Sequence, residues 1–253
     1  MNRLTNKVAI VTGGGVGIGR AYCLGLAKEG AKVVVADIQE AEAKKVAGEI
    51  QQQGGEAFAV PVDVTSAEKT RAMAEAALRK YGSIDVLVNN AALYSAIKKK
   101  PFSEIGEEEW DRVMAVNVKG LFLCVQAVYP AMKQQKKGKI VNISSGTALG
   151  GTPFFLHYVT SKAGVIGFTR ALARELGGDN ICVNAITPGL TISGPQQEGV
   201  LTPEQLQDRR KRRSFQRDQK PADLVGTVIF LVSDDSDFIT GQTINVDGGA
   251  NMY

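Results

Sequence analysis

Short runs of apolar residues recur along this chain, and each run is followed by a longer stretch in which apolar and polar residues mix. Continuous apolar runs of strand length are typical of strands that are buried on both faces of a parallel sheet. Seven runs predict strands at residues 8–11, 33–36, 57–60, 86–88, 140–143, 182–186 and 243–246.

The stretches between these runs have the length and mixed polarity of helices that cover a sheet. They predict helices at residues 18–29, 41–53, 67–81, 107–133, 158–176 and 221–232. Strands that alternate with helices form right-handed βαβ units, so the pattern predicts an α/β, doubly wound parallel sheet with helices on both faces. Ligands of such sheets bind outside the carboxyl ends of the strands, and the chemistry is therefore expected at the strand-to-helix junctions.

The junction after the first predicted strand is a glycine-rich turn that leads directly into a helix. Its sequence is Thr12-Gly13-Gly14-Gly15-Val16-Gly17-Ile18-Gly19. Glycines permit positive φ angles and a close approach of backbone N–H groups to a pyrophosphate, and the helix N-terminus adds a partial positive charge. The alternative is a tight turn that binds no ligand, which would need the same glycines. An acidic residue after the second strand favours dinucleotide binding over this alternative.

That acidic residue is Asp37, eighteen residues beyond Gly19. A carboxylate at this place accepts hydrogen bonds from both hydroxyls of an adenosine ribose and repels a 2′-phosphate. Neither Ile38 nor Val16 is basic, so the sequence favours NAD over NADP. The alternative is that Asp37 only caps the following helix. Asp63, after the third strand, has two similar interpretations, a hydrogen bond to an adenine amine or a plain helix cap.

Tyr158 and Lys162 are four residues apart on a predicted helix, so both side chains project from one face. A free tyrosine is a poor base at neutral pH, but a nearby ammonium favours the phenolate and lowers the pKa. The spacing therefore predicts a general acid/base tyrosine assisted by a lysine. An isolated pair of this kind also occurs by chance on helix surfaces. We interpret His157, directly before Tyr158, as a packing residue.

Composition narrows the class of protein. A chain of 253 residues with 44% hydrophobic and 22% charged residues suits one compact globular domain. The net charge of +4 is local, because residues 209–213 contribute five positive charges, so nucleic-acid binding is not expected. One histidine and three cysteines without paired spacing predict no metal site and no disulfide, which fits a reducing, cytoplasmic location. The first apolar run is too short for a signal peptide or a membrane span.

Five short motifs together resemble the short-chain dehydrogenase/reductase family over about residues 5 to 250. They are Thr12-Gly13-x-x-x-Gly17-Ile18-Gly19, Asn89-Asn90-Ala91-Ala92, Tyr158-x-x-x-Lys162, Pro188-Gly189 and Ile239-Thr240-Gly241-Gln242. Ala92 departs from the glycine of the family's pattern, which adds a methyl group near the cofactor. The resemblance implies a single Rossmann-type domain over residues 1–253, with a seven-stranded parallel sheet.

The resemblance also implies the site. The catalytic set would be Asn117, Ser145, Tyr158 and Lys162. Ser145, rather than its neighbour Ser144, would orient the substrate oxygen, and Asn117 would bend its helix and hold a water in a proton relay to the lysine. The residues expected at the cofactor are Gly13, Gly15, Val16, Gly17, Ile18, Gly19, Asp37, Ile38, Asp63, Val64, Asn90, Ala91, Ala92, Tyr158, Lys162, Pro188, Gly189, Thr191 and Ser193. The residues expected at the substrate are Ser145, Leu93, Tyr94, Thr147, Phe155 and Leu190.

These expectations describe an oxidoreductase that transfers a hydride between NAD(H) and a secondary alcohol or ketone. The mostly apolar lining favours a small hydrophobic or ring-containing substrate. The alternative is a 3-oxoacyl-[acyl-carrier-protein] reductase, which would share the catalytic residues but usually prefers NADP. A non-enzymatic NAD sensor would be expected to lack part of the catalytic set. Members of the family are commonly tetramers, so we expect a homotetramer with helices 107–133 and 158–176 in one interface.

Residues 194–220 are the expected substrate lid. Thr202-Pro203-Glu204-Gln205 combines a helix cap, a proline at the first helical position and a capping-box glutamine, so a short helix should begin near residue 203. The five cations at residues 209–213 advance about 100° per residue and would cover every face of that helix. Either this run is a solvated, mobile charge run, or one arginine recognises an anionic group of the substrate.

Overall fold

A computed structural model describes residues 2–193 and 202–252. Seven parallel strands form one sheet, as the apolar runs predict. They are β1 (Val8–Thr12), β2 (Lys32–Asp37), β3 (Ala57–Pro61), β4 (Val86–Asn89), β5 (Gly138–Ile143), β6 (Ile181–Pro188) and β7 (Thr243–Val246). Several strands run one or two residues further than the apolar run at the carboxyl end. Among the added residues, Thr12, Asp37, Asn89 and Pro188 lie where the site is expected.

Helices cover both faces of the sheet. They are α1 (Gly17–Lys28), α2 (Glu40–Gln52), α3 (Ala67–Tyr81), α4 (Glu107–Met114), α5 (Gly120–Gln135), α6 (Thr147–Gly150), α7 (Leu156–Leu176), α8 (Pro203–Lys211) and α9 (Ala222–Val232). One apolar core lies between the sheet and α1, α2 and α9, and the other lies between the sheet and α3, α5 and α7. Alternate residues of β1 divide between them: Ala9 and Val11 face the first core, Val8 and Ile10 the second. The molecule is therefore a single Rossmann-type domain.

The segment predicted as one helix over residues 107–133 is interrupted. α4 and α5 are joined by a π-helical segment, Ala115–Lys119, with Asn117 at its centre. A π-helical segment adds a residue to the turn and bends the helix, often at a functional site. The interruption of the helix is therefore centred on the residue at which a bend was expected.

The strand order is β3-β2-β1-β4-β5-β6-β7. The chain reverses its direction of winding between β1 and β4, and a crevice opens at such a switch point beyond the carboxyl ends of the strands. The glycine turn after β1 and the Asn89-Asn90-Ala91-Ala92 motif after β4 therefore meet there.

By length and composition alone, the helical stretch Glu107–Gln135 could cross a membrane. Its residues Val113, Cys124, Val128 and Met132 are buried inside the protein. A core helix passes the same test of length and composition, and the packing of this stretch accounts for its apolar character.

Candidate active site

The glycine turn between β1 and α1 has a backbone that side chains would not tolerate. Gly13 and Gly17 have φ angles of 61° and 58°. A Cβ atom on Gly19 would lie 1.9 Å from the carbonyl oxygen of Gly13. The helix therefore begins directly against the turn, and its free N–H groups face the crevice.

The motif after β4 braces this turn. The side-chain amide of Asn90 donates hydrogen bonds to the carbonyl oxygens of Thr12 and Gly13, both at 3.0 Å. The hydroxyl oxygen of Thr12 accepts from the backbone N–H groups of Asn90 and Ala91, at 3.0 and 3.1 Å. Asn90 and Ala91 were expected at the cofactor, whereas the bracing role of Thr12 was not predicted from the sequence. A buried threonine at a strand end, directly before the glycines, is the signal that could have indicated it.

Asp37 points back to the glycine turn and is only 4% exposed. Its Oδ2 accepts the N–H of Gly15 at 2.9 Å, and its Oδ1 accepts the N–H of Gln39 at 2.9 Å. The helix cap of α2 is Gln39, so the alternative that Asp37 caps this helix is wrong. Beside Asp37, the apolar residues Val16 and Ile38 are 42% and 69% exposed. A carboxylate between exposed apolar side chains fits the ribose and adenine of a dinucleotide.

Asp63 closes a local turn instead of capping α3. Its Oδ1 accepts the N–H and the hydroxyl of Thr65, at 2.9 and 2.7 Å. Ser66 caps the helix by accepting the N–H of Lys69, so the helix-cap alternative for Asp63 is also wrong. The hydrogen bonds from Thr65 lower the pKa of Asp63, which therefore stays ionised at neutral pH. The next residue, Val64, is buried.

Tyr158 and Lys162 lie one turn apart near the start of α7, as the spacing predicts. Both side chains are buried, and the Lys162 Nζ lies 5.8 Å from the centroid of the Tyr158 ring. This ammonium donates to the carbonyl oxygen of Ile143, at the end of β5, at 2.8 Å. The buried pair is therefore attached to the carboxyl edge of the sheet, which excludes the alternative of a surface helix pair.

Ser145 follows β5 and lies beside the tyrosine. Its Oγ accepts the N–H and the hydroxyl of Thr147, at 3.2 and 3.0 Å, and its hydroxyl lowers the pKa of Tyr158 by hydrogen bonding. The hydroxyl of Ser144 donates to the carbonyl oxygen of Lys162 at 2.6 Å and is buried. Ser144 therefore holds α7 in place, and Ser145 is the serine at the site.

Burial dominates the electrostatics of the pair. It raises the pKa of Tyr158, the Tyr94 hydroxyl raises it further, and the hydrogen bond from Ser145 opposes both effects. Burial also lowers the pKa of Lys162 to about 8. The sequence predicts that the Lys162 ammonium lowers the pKa of Tyr158. In the folded chain, the loss of solvation has the larger effect on this pKa, and it raises it.

Asn117 lies behind this pair and is 1% exposed. Its Oδ1 accepts the N–H of Leu93 at 2.8 Å, and its Nδ2 donates to Ser161 Oγ at 3.1 Å. A buried amide needs such partners. The side chain therefore ties the loop after β4 to α7, one residue before Lys162.

Two further aromatic rings cover Tyr158. The Phe155 ring stacks on the Tyr158 ring with centroids 4.6 Å apart, and the Tyr94 ring lies 5.3 Å away. Both residues belong to the predicted substrate lining. His157 is fully buried on another side, with its Nε2 3.2 Å from Glu109 Oε1, in keeping with a packing residue.

The loop after β6 returns to the glycine turn. Gly189 donates its N–H to the carbonyl oxygen of Val246 at 3.1 Å, and the Thr191 hydroxyl donates to the carbonyl oxygen of Gly189 at 3.1 Å. Ser193 Oγ lies 3.1 Å from the position of a Cβ atom on Gly17. Two predicted cofactor residues, Gly17 in the glycine turn and Ser193 in the loop after β6, are thus neighbours. Of the predicted lid, residues 194–201 lie outside the described part of the chain.

Directly after the lid helix, the side chain of Arg213 turns inward, between exposed neighbours. Arg213 is 8% exposed, and its guanidinium donates to the carbonyl oxygens of Leu190 and Arg217, at 2.7 and 3.2 Å. α8 begins at Pro203, as the capping pattern predicts, and ends at Lys211. The structural role of Arg213 had no signal in the sequence beyond the charge run itself.

The chain is similar to known proteins over almost its whole length. A family model described as enoyl-(acyl carrier protein) reductase matches residues 14–251. The 3-oxoacyl-[acyl-carrier-protein] reductase of Staphylococcus epidermidis is 39% identical over 98% of this chain and 100% of its own. The enzyme of that name from Thermotoga maritima is 40% identical over 98% of both chains.

Among solved structures, a 7α-hydroxysteroid dehydrogenase in complex with NADH and 7-oxo glycochenodeoxycholic acid has a TM-score of 0.92. It is 37% identical, and the match covers 98% of this chain and 95% of that chain. The chain belongs to the short-chain dehydrogenase/reductase family of oxidoreductases.

Proposed function

We propose that this oxidoreductase transfers a hydride between NAD(H) and a secondary alcohol or ketone with an apolar or ring-containing body. The observation that carries the proposal is the placement of Tyr158 beside Ser145 and Lys162 at the carboxyl edge of the sheet. In alcohol oxidation Tyr158 accepts the hydroxyl proton, and in ketone reduction it returns that proton. The Ser145 hydroxyl holds the substrate oxygen and stabilises the charge that develops on it.

Lys162 and Asn117 support the tyrosine. The ammonium favours the phenolate form, against the burial that disfavours it. The side-chain amide of Asn117 is occupied by Leu93 and Ser161, so a water for proton exchange would be held by backbone atoms of the π-helical segment. This water would connect the buried Lys162 to solvent.

The residues present fit a dinucleotide. The glycine turn packs the start of α1 against the Gly13 carbonyl, an approach that a Cβ atom on Gly19 would prevent. A pyrophosphate would lie at this turn, and Asp37 accepts the N–H of Gly15 at its end. The loop from Pro188 to Ser193 and the residues Asn90 to Ala92 would hold the nicotinamide half. When bound, the nicotinamide supplies the hydride acceptor in oxidation and the donor in reduction.

Asp37 supports NAD over NADP within this proposal. Its carboxylate is fixed by two backbone N–H groups, so it does not swing away from a 2′-phosphate. Like charges at this distance repel, whereas the two hydroxyls of a ribose donate hydrogen bonds to a carboxylate.

A second candidate is reduction of a 3-oxoacyl group on an acyl carrier protein. The names of the relatives from Staphylococcus epidermidis and Thermotoga maritima favour it. The two functions share Tyr158, Ser145 and Lys162 and differ in the substrate. The second candidate would be selected by a comparison of two activities. The activity towards an acetoacetyl group on the carrier protein should then be well above the activity towards any free ketone.

The test is a panel of aliphatic, cyclic and aryl secondary alcohols and ketones, with NAD(H) and NADP(H), followed by NADH absorbance. Tyr158→Phe should abolish turnover of every substrate found, because it removes the exchangeable proton. It should leave the dissociation constant for NADH almost unchanged, since the ring remains. A Tyr158→Phe variant that kept most of the wild-type rate would contradict the proposed acid/base role.

A further inference from the structure

We infer that Thr147 is a positioning residue, which holds the hydroxyl of Ser145 so that this hydroxyl donates its proton to the substrate oxygen. The inference rests on the proposed function, because it concerns the serine that holds the substrate oxygen there. Thr147 was expected only as part of the substrate lining. Its contacts give it a second role, which it exerts through the serine.

Both polar hydrogens of Thr147 are directed at one oxygen atom. Its backbone N–H donates to Ser145 Oγ at 3.2 Å, and its side-chain hydroxyl donates to the same oxygen at 3.0 Å. An N–H group would be supplied by almost any residue at this position. The side-chain hydroxyl is therefore the contribution that a threonine or a serine makes and an apolar residue does not.

These two bonds decide how the serine can be used. A serine hydroxyl has one proton to donate and two lone pairs that accept. Thr147 occupies both lone pairs of Ser145, so the proton of Ser145 remains for a partner outside the turn. Tyr158 is such a partner, because hydrogen bonding by Ser145 lowers the pKa of the tyrosine. The unused capacity of Ser145 is thus that of a donor beside the proposed reacting group.

The proposed chemistry requires the serine as a donor. Negative charge develops on the substrate oxygen in both directions of the reaction, and a hydrogen-bond donor stabilises that charge. A serine that accepted the hydroxyl proton of an alcohol would compete with Tyr158 for this proton. Because Thr147 fills the lone pairs of Ser145 before the substrate binds, this unproductive arrangement is excluded in advance.

The turn that carries Thr147 is attached to the sheet. The N–H of Gly146 donates to the carbonyl oxygen of Pro188, at the end of β6, at 2.8 Å. The carbonyl oxygen of Thr147 accepts the N–H of Gly151 at 3.0 Å, and the Thr147 side chain is half-buried. Thr147 is therefore held on both sides, as a residue that positions another side chain has to be.

The test compares two substitutions of Thr147. Thr147→Val keeps the shape and the backbone N–H and removes the hydroxyl, whereas Thr147→Ser keeps the hydroxyl. With the best alcohol of the substrate panel, Thr147→Val should lower kcat about tenfold or more and leave KM within about twofold of wild type. Thr147→Ser should recover most of the wild-type kcat. A loss confined to KM would show direct substrate binding and overturn the inference.

The pH profile of alcohol oxidation gives a second measurement. Hydrogen bonding by Ser145 lowers the pKa of Tyr158, so a misdirected serine hydroxyl lets this pKa rise. The midpoint of the kcat profile should therefore move to higher pH in Thr147→Val and return in Thr147→Ser. An unchanged midpoint in Thr147→Val would contradict the inference.

Thr240→Val is the matched control. The Thr240 hydroxyl accepts the N–H of Val183, near the amino end of β6, at 3.0 Å. This variant also loses one threonine hydrogen bond, so it can lower the Tm, but it should keep the wild-type kcat and pH midpoint. The inference is wrong if Thr147→Val keeps the wild-type kcat, if Thr147→Ser recovers nothing, or if Thr240→Val loses as much.

Crystal structures of the wild type and of Thr147→Val separate this inference from the proposed function. Ser145 should have one rotamer in the wild type and a different or a mixed rotamer in the variant, and the same single rotamer in both would overturn the inference. If Tyr158→Phe abolishes turnover but Thr147→Val does not reduce it, the proposed chemistry stands and the inference falls. If the panel yields no turnover but the Ser145 rotamer changes, the positioning role stands and the proposed chemistry falls.

Discussion

At the end of β2, the buried carboxylate of Asp37 is fixed by the N–H groups of Gly15 and Gln39. We expect the wild-type protein to prefer NAD over NADP by at least about tenfold in kcat/KM, roughly 1.4 kcal/mol. Asp37→Ala should narrow this ratio, mainly because activity with NADP rises once the repulsion is removed. Kinetics with both cofactors would measure it. Asp63→Asn is the control, since adenine is common to both cofactors and the ratio should not change.

Also at the residue scale, alcohol oxidation should speed up as the pH rises through the neutral range. Tyr158 must lose its proton before it can accept one, and burial raises its pKa. The Lys162 ammonium, with a pKa of about 8, favours the phenolate while it is charged. Lys162→Met should therefore move the pH profile of kcat to higher pH. A profile of unchanged midpoint would show that the lysine does not tune the tyrosine, and Lys139→Met, a buried lysine elsewhere in the sheet, is the control.

At the scale of elements, two glycines in helices differ in what surrounds them. A Cβ atom on Gly19, in α1, would overlap the Gly13 carbonyl oxygen, whereas a Cβ atom on Gly48, in α2, would meet nothing within 4 Å. Gly48→Ala should stabilise the protein by about 0.5–1 kcal/mol, because alanine is the better helix former.

Gly19→Ala should destabilise it by about 1–3 kcal/mol and weaken NADH binding at least about tenfold, because the turn has to shift. Urea unfolding and NADH titration of both variants would measure these effects. A Gly19→Ala variant with normal NADH affinity would argue against the glycine turn as the cofactor site.

At the scale of the whole molecule, we expect a homotetramer in which α5 and α7 face a neighbouring subunit. Phe122, on α5, is 47% exposed and would lie in this interface. Phe122→Glu should lower the molar mass to that of a dimer or monomer in size-exclusion chromatography with light scattering. Leu78→Glu, at the end of α3, changes a comparably exposed apolar residue and should leave the mass unchanged. A wild-type monomer would contradict the expectation.

The sequence by itself determined the order of the elements and the chemistry of their ends. Short apolar runs that alternate with helix-length stretches are typical of parallel strands, so each of the seven strands could be located from local pattern, although β3 and β7 are only partly buried. The glycine turn, Asp37 and the Tyr158 and Lys162 pair were recognisable for the same reason, because spacing along one strand, turn or helix determines their relative positions. A bend of the helix at Asn117 was expected only through the family resemblance, and the π-helical form of the segment was not expected, since no local periodicity marks it.

Tertiary structure decided everything that depends on burial or on partners distant in sequence. Ser144 and Ser145 are adjacent and chemically identical. The family resemblance favoured Ser145, and the physical reason came from the structure, in which the Ser144 hydroxyl is used by the Lys162 backbone of α7. The raised pKa of Tyr158 results from packing by Tyr94 and Phe155, which a sequence pattern does not report. In the charge run, the helix ends at Lys211, so folding of the chain, and not helical periodicity, turns Arg213 inward. Pairing and desolvation act through space, so the inward position of Arg213 and the rings packed on Tyr158 are decided only in the folded protein.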